Sequence, residues 1–150
     1  MEIAAAVVAV IGTVLGAAVV GVQQFYAARS QRRQSLHDRT LTALSELSTA
    51  LADHRRAMWV REDLRLSGAA AADVAAAREA SHVTRSAVTA PQVALLALLP
   101  QVRTDVNAAV HATYDMRGAV SAEVLSFMRE QAVAAADDLI GATGRALFRT

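Results

Sequence analysis

Glu79 and His82 are the residues whose types and spacing come nearest to a catalytic motif. On a helix, side chains three positions apart lie on one face, so this pair would present a carboxylate and an imidazole together. Helical bundles that bind two metal ions use such a pair twice, with two further glutamates. The chain has no second Glu-x-x-His pair, and its other candidate ligands are Glu46, Glu123, Glu130, His111 and Asp115. A solvated helical pair is the simpler interpretation, and a metal-dependent, ferritin-like helical-bundle enzyme is the second hypothesis for function.

Other catalytic signatures are missing from the sequence. It has no cysteine, no Gly-x-Ser-x-Gly elbow, no Walker-type glycine loop, no zinc-ligand spacing and no dinucleotide fingerprint. All 15 basic residues are arginine, the formal net charge is +1, and aromatic residues are too few for base stacking. We therefore expect no catalysis, no cofactor, no metal ion, no small-molecule substrate and no direct binding of nucleic acid.

The most distinctive local run is DHRRAMW at residues 53–59. Arg55 and Trp59 lie four positions apart, so a cation–π contact can form between them on a helix surface. We predict that Arg55, Arg56 and Trp59 form a surface for a partner, and burial of Trp59 in the core is the alternative. His54 lies on an apolar stripe and is expected to be a hydrogen-bonded residue at the rim of the core rather than a metal ligand.

Residues 3–22 (IAAAVVAVIGTVLGAAVVGV) contain no charge and no proline. A helix of this length covers roughly 30 Å, the thickness of the hydrocarbon layer of a bilayer, and it lacks the polar face of a soluble helix. Signal peptides carry positive charge before their apolar run, whereas only Met1 and Glu2 precede this one. The segment is therefore predicted to be a transmembrane helix. Its Gly12 and Gly16 have the spacing that lets two membrane helices approach closely, which predicts a homo-oligomer or a membrane-protein partner.

Positive charge follows this segment, at Arg29, Arg32, Arg33 and Arg39. The positive-inside rule then places the N-terminus outside the cell membrane and the C-terminal domain in the cytoplasm. The same arginines should contact membrane lipid, because anionic headgroups attract basic side chains beside a membrane helix.

The rest of the chain is long enough for one hydrophobic core. We predict an all-α protein with one N-terminal transmembrane helix that continues into a cytoplasmic bundle of about four helices. The predicted parts are a transmembrane anchor at residues 1–25, a juxtamembrane long helix at residues 26–66, and the remainder of the bundle at residues 67–150.

An apolar stripe with helical spacing lies on the juxtamembrane helix: Leu44, Leu47, Leu51, His54 and Met58. Two heptads are too few to indicate a coiled coil, so we expect this stripe to pack within the same chain. Ser67 and Gly68 should end the helix, since glycine readily takes the left-handed conformation of a helix stop.

Two prolines divide the second half of the chain. A helix over residues 73–89 is predicted to end before Pro91, because a residue that precedes proline avoids the helical region. Residues 93–99 (VALLALL) are predicted to be the centre of the core. Pro100 either kinks this helix or starts another.

A second stripe with helical spacing ends at Gly118 and consists of Val102, Val106, Ala109, Thr113 and Met116. Ser121 is a predicted N-cap, with Glu123 placed favourably for the helix dipole. The last helix should run to about Ala142. Its predicted inward side chains are Val124, Met128, Ala135 and Leu139.

Four stretches of the chain together resemble one protein family. They are the apolar segment with the arginines after it, DHRRAMW at 53–59, SHVTRSAVTAP at 81–91 and ATYDMR at 112–117. In these stretches the chain resembles the KilB-like small proteins of actinomycetes, whose name comes from conjugative plasmid transfer and spread. The resemblance implies a membrane-associated accessory role in plasmid spread, and it assigns no catalytic or binding residue.

The first hypothesis is therefore a single-pass membrane-anchored helical interaction or scaffold protein, an accessory in conjugative plasmid transfer or spread. The metal-dependent bundle enzyme is the second. A pore-forming toxin is the third; it would need a second membrane segment, and residues 93–99 are too short for one.

Overall fold

The first helix, α1, ends at the stop that its sequence predicts. In a computed structural model of the protein, which describes the backbone of residues 2–149 and the side chains of residues 29 and 31–149, α1 spans Glu2–Leu66. Gly68 has a φ of 70°, a left-handed conformation that glycine adopts without a Cβ clash. Its N–H donates to the Arg65 carbonyl and the Ala69 N–H donates to the Leu64 carbonyl, which satisfies the last carbonyls of the helix as a Schellman motif.

Three more α-helices and a 3₁₀ turn follow within the described residues. Helix α2 spans Ala71–Leu98, the 3₁₀ turn spans Pro100–Val102, α3 spans Arg103–Tyr114 and α4 spans Ala122–Leu147. Residues 2–149 contain no strand, so the all-α prediction is confirmed for this part of the chain.

The chain divides into two units, residues 1–38 and residues 39–150. The first unit consists of the N-terminal part of α1. The second contains the hydrophobic core, which the C-terminal part of α1 builds together with α2, α3 and α4.

The prediction that Pro91 ends a helix is wrong. Pro91 lies inside α2, although a proline inside a helix removes one backbone hydrogen bond and costs about 3 kcal/mol. The compensation comes from burial: Val88, Pro91 and Leu95 are all buried on α2, and their spacing puts them on one face. Packing of that face against the core outweighs the local preference against proline.

Pro100, in contrast, ends its helix. Leu99 precedes it with φ −140° and ψ 72°, outside the helical region that a following proline disfavours. Pro100 itself begins the 3₁₀ turn. Of the two roles that the sequence left open, it therefore has the second: it starts a new element.

The apolar stripe of α1 packs within the same chain, as predicted. Leu47, Leu51, His54 and Met58 are each at most 3% exposed, and Leu44 is half-buried against the core. Thr40, which extends the stripe backwards, is also buried. The predicted stripe of α3 and its flanks is confirmed completely, since all its members are buried: Val102, Val106, Ala109, Thr113 and Met116.

Two predictions of the core were wrong in part. Within residues 93–99, Leu95 and Leu99 are buried but Val93 is 62% exposed, so this segment contributes one face and not the centre. On α4, Leu139 is buried as predicted, while Val124, Met128 and Ala135 are half-buried. The fully buried residues of α4 are Leu125, Ala132, Leu139 and Thr143.

The predicted membrane anchor concerns residues 3–22, which lie outside the residues whose side chains are described. Among the residues whose side chains are described, no helix combines the length and apolar character needed to cross a bilayer.

Ser121 caps α4, as predicted. Its side-chain oxygen accepts a hydrogen bond from the Val124 N–H at 3.2 Å, and a hydrogen bond to Ser121 is the main reason that the pKa of Glu123 is lowered.

Replacing this cap should destabilise the bundle measurably. We expect Ser121→Ala to lower the free energy of unfolding by about 1 kcal/mol, because the N–H groups of the first turn lose their partner. Urea unfolding in nonionic detergent, followed by Trp59 fluorescence, measures this. The matched control is Ser86→Ala on the exposed face of α2, where the hydroxyl bonds its own helix at His82 and the change should stay within about 0.5 kcal/mol. Equal effects of the two substitutions would contradict the capping role.

Candidate functional site

Trp59 and the two arginines before it lie together on the surface of α1. Trp59 is half-buried and packs against the cluster that contains Met58 and Leu125. It is therefore partly in the core and partly on the surface, between the two alternatives that the sequence left open. The cation over its ring comes from α4: the Arg129 guanidinium carbon lies 5.3 Å from the ring centroid. The predicted neighbour, Arg55, lies beside this pair.

These side chains line a groove of about 300 Å³, which we call the Trp59 groove; its described lining residues are Ala52, Arg55, Arg56, Trp59 and Arg129. Arg55 is half-buried, and its pKa is lowered, first by burial and then by the nearby charge of Arg129, while Asp137 acts in the opposite direction. The groove thus combines one aromatic face with three guanidinium groups. Such a surface favours a partner that carries carboxylates and an apolar side chain.

The other predicted residues are placed as follows. Arg29, Arg32, Arg33 and Arg39 are all exposed on α1. Gly12 and Gly16 lie outside the residues whose side chains are described.

The candidate metal pair lies on α2, where both Glu79 and His82 are exposed. Among the described side chains, no three His, Cys, Asp or Glu residues come together as a group that could hold a metal ion.

Sequence reasoning missed a second cluster, centred on His54. His54 is 2% exposed, and its Nδ1 lies 3.0 Å from the Thr84 hydroxyl oxygen. That hydroxyl also lies 3.2 Å from the carbonyls of Ala80 and Ser81. One hydrogen bond therefore joins the His54 imidazole to the Thr84 hydroxyl, and the tautomer of the imidazole sets which of the two groups donates.

Aromatic and positively charged groups surround this imidazole. The Tyr114 ring meets the His54 ring edge to face, with centroids 5.2 Å apart and planes at 85°. The Arg85 guanidinium carbon lies 4.4 Å from the Tyr114 ring centroid. Burial, followed by the charges of Arg85, Arg61 and His82 in that order of importance, lowers the pKa of His54 to about 4. His54 is therefore neutral at physiological pH.

A cavity of about 30 Å³ opens beside this cluster, and we call it the His54 pocket. Its described lining residues are His54, Met58, Arg61, Ser81, His82, Arg85, Tyr114 and Arg117. Three of these are arginines and none is acidic. The pocket is therefore a small, positively charged site between α1, α2 and the end of α3.

A buried carboxylate, Glu62, holds the neighbouring part of α1 in place. Glu62 is 1% exposed, and its oxygens lie 2.7 Å from Arg65 Nε and 3.5 Å from Arg61 Nε. Arg65 also donates to the carbonyl of Ala119. This network ties the end of α1 to the loop before α4, and it neutralises part of the charge of Arg61.

Three stretches of sequence meet at the His54 pocket. DHRRAMW provides His54 and Met58, SHVTRSAVTAP provides Ser81, His82 and Arg85, and ATYDMR provides Tyr114 and Arg117. These are three of the four stretches in which the chain resembles the KilB-like proteins. The available signal was a histidine inside a leucine stripe, which indicates a partner on another helix without saying which residue it is.

Comparison with known proteins identifies the family. The family described as KilB plasmid transfer protein matches residues 41–147. The chain belongs to the KilB plasmid transfer protein family. Protein KilB of Streptomyces lividans is 46% identical over 138 residues, which are 92% of this chain and 94% of that protein. No solved structure matches. The resemblance to KilB-like proteins is thus confirmed, and the matched residues include both the Trp59 groove and the His54 pocket.

Acidification should destabilise the bundle through His54. The folded-state pKa is about 4 and the ordinary value is 6.5, so between these values the unfolded chain binds the proton and the folded chain does not. The free energy of unfolding therefore contains the full contribution of His54 above pH 6.5. This contribution is lost as the pH drops toward 4, by roughly 3 kcal/mol in all.

Urea unfolding at a series of pH values measures this slope. In His54→Gln the share of the slope that His54 contributes should disappear. The control His111→Gln, at an exposed position on α3, should keep it. If the slope between pH 6.5 and 4 is the same in all three proteins, His54 does not titrate as the structure indicates.

Proposed function

We propose that the protein is a single-pass membrane-anchored helical interaction protein that serves as an accessory in plasmid transfer. The observation that carries the proposal is membership of the KilB plasmid transfer protein family over residues 41–147, which supports a role in plasmid transfer or spread. The membrane anchor is supported by the sequence of residues 3–22, and the partner surface is supported by the Trp59 groove.

The anchor is argued from the sequence of residues 3–22 and from the arginines behind it. An uncharged helix of this length matches the hydrocarbon layer of a bilayer. Arg29, Arg32, Arg33 and Arg39 are exposed, which leaves them available to anionic headgroups and to the positive-inside signal. The C-terminal domain then faces the cytoplasm, and Gly12 and Gly16 offer a packing surface for a second membrane helix.

The partner surface is argued from the Trp59 groove. Tryptophan and arginine are the residues that most often dominate the binding energy of protein interfaces, and this groove contains one of the former and three of the latter. The half-buried Trp59 side chain is held under Arg129 and is already ordered, so it loses little conformational entropy when a partner docks against it. The partner is a second copy of this chain or a membrane protein of the transfer machinery, and it contacts the groove with acidic residues.

Fractionation of cells tests the anchor. The full-length protein should pellet with membranes, and a variant that lacks residues 1–22 should remain in the supernatant with helical circular dichroism. Replacing Gly12 and Gly16 together by leucine should leave the protein in the membrane while it reduces self-association in an in-membrane reporter assay. A full-length protein found in the supernatant would overturn the anchor, the topology and the localisation together.

Site-specific crosslinking in living cells tests the partner surface. A photo-reactive residue in place of Arg56 should give a crosslinked species of higher mass, because Arg56 is exposed and lines the groove. The matched control replaces Arg103, which is exposed on α3 and outside the groove. Trp59→Ala should reduce the yield at position 56 by about tenfold or more, since interface tryptophans commonly contribute 2 kcal/mol or more. Equal crosslinking at both positions would show that the Trp59 groove is not the partner surface.

A further inference from the structure

The His54 pocket carries a positive charge that the described residues leave uncompensated. The ion pairs among these residues join Glu62 to Arg61 and Arg65, so Arg61 is partly neutralised. Arg85 and Arg117 also line the pocket, and neither is paired with a carboxylate in the described part of the chain. Two exposed guanidinium groups that line one pocket repel each other and attract an anion.

The pocket wall keeps these charges in place. Arg85 lies over the Tyr114 ring, whose edge in turn contacts the buried His54 ring. Arg61 reaches the Ser81 hydroxyl oxygen at 3.5 Å, and that hydroxyl is itself buried. Arg85 and Arg61 are therefore held by aromatic and hydroxyl groups, and these two side chains lose little conformational entropy when an anion binds.

The size of the pocket restricts the ligand. A cavity of about 30 Å³ has room for a group the size of a water molecule. A terminal oxygen of a tetrahedral oxyanion is such a group. With one oxygen in the cavity, the remaining oxygens of the ligand lie outside it, where the exposed Arg85 and Arg117 side chains can reach them.

We propose that the His54 pocket binds a phosphate group, as free phosphate or as the terminal phosphate of a small phosphomonoester. Guanidinium groups match the geometry of phosphate oxygens and form charge-assisted hydrogen bonds with them. A dianion also balances the two arginines that lack carboxylate partners, which a single carboxylate does not. This site is separate from the Trp59 groove and does not depend on the membrane anchor.

Binding of phosphate, which carries a single negative charge at the pH where His54 titrates, should change the titration of His54. Burial and then the nearby positive charges hold the pKa of His54 below its ordinary value. A bound phosphate offsets these charges and favours the protonated imidazole, so the pKa of His54 rises. The pKa of His54 therefore serves as a measure of phosphate binding in the His54 pocket.

Isothermal titration calorimetry of the full-length protein in nonionic detergent, with inorganic phosphate at pH 7.5 and constant ionic strength, tests the proposal. Arg85→Gln and Arg117→Gln should each weaken binding about tenfold or more, because each removes a charge-assisted hydrogen bond. The matched control Arg103→Gln removes an exposed arginine outside the pocket and should bind as the parent does. Absence of binding at about 10 mM phosphate, or equal binding by the parent and both pocket variants, would overturn the proposal.

Glycerol phosphate distinguishes the two sources of the ligand. If it binds as tightly as inorganic phosphate, the pocket accepts a phosphomonoester; if inorganic phosphate binds at least about tenfold more tightly, the ligand is free phosphate. Nuclear magnetic resonance titration of the histidine rings then locates the site. The pKa of His54 should rise when phosphate is present, whereas calorimetric binding with an unchanged pKa of His54 would place the ligand elsewhere and overturn the assignment.

Discussion

One face of α1 contributes buried side chains to both hydrophobic clusters, and the arrangement of the other helices depends on it. Leu47 and Leu51 belong to the cluster that α2, α3 and α4 complete, and Met58 belongs to the cluster around Met116 and Leu125. Close-packed interiors tolerate few voids, so each facing helix must present side chains that fill the spaces along this stripe. The two surface sites then form where that packing brings side chains of different helices together.

His54 interrupts the stripe with a polar group, and this joins core packing to the candidate site. A buried imidazole without a hydrogen-bond partner would be costly, and the Thr84 hydroxyl supplies the partner. The rotation of α2 that brings Thr84 to His54 also brings Arg85 over the ring of Tyr114. On the neighbouring face of α1, Trp59 meets α4 through Arg129. About three consecutive turns of one helix thus position a small charged pocket and a larger aromatic groove.

Much of the local structure could be predicted from the sequence because it depends on near neighbours. The stop at Gly68 and the cap at Ser121 follow from conformations and hydrogen bonds within a few residues. The prediction that a helix ends before Pro91 was wrong because it used only the local preference against proline in a helix. Burial of the Pro91 face of α2 overrode that preference. The inward face of α4 was also shifted: alanines and small polar residues occur on several of its faces, so periodicity alone did not show that Leu125 and Thr143 are buried.

The sequence by itself determined the helical class of residues 2–149, the end of α1, the start of α4, the buried stripes of α1 and α3, and the family to which the chain belongs. Only the tertiary structure decided which side chains from different helices meet. Sequence spacing offered Arg55 as the neighbour of Trp59, whereas the structure places Arg129 from α4 over its ring. Thr84 likewise reaches His54 across 30 residues. Helical periodicity says which face of a helix is apolar, but the rotation and pairing of helices come from packing of the whole core, which no local pattern encodes.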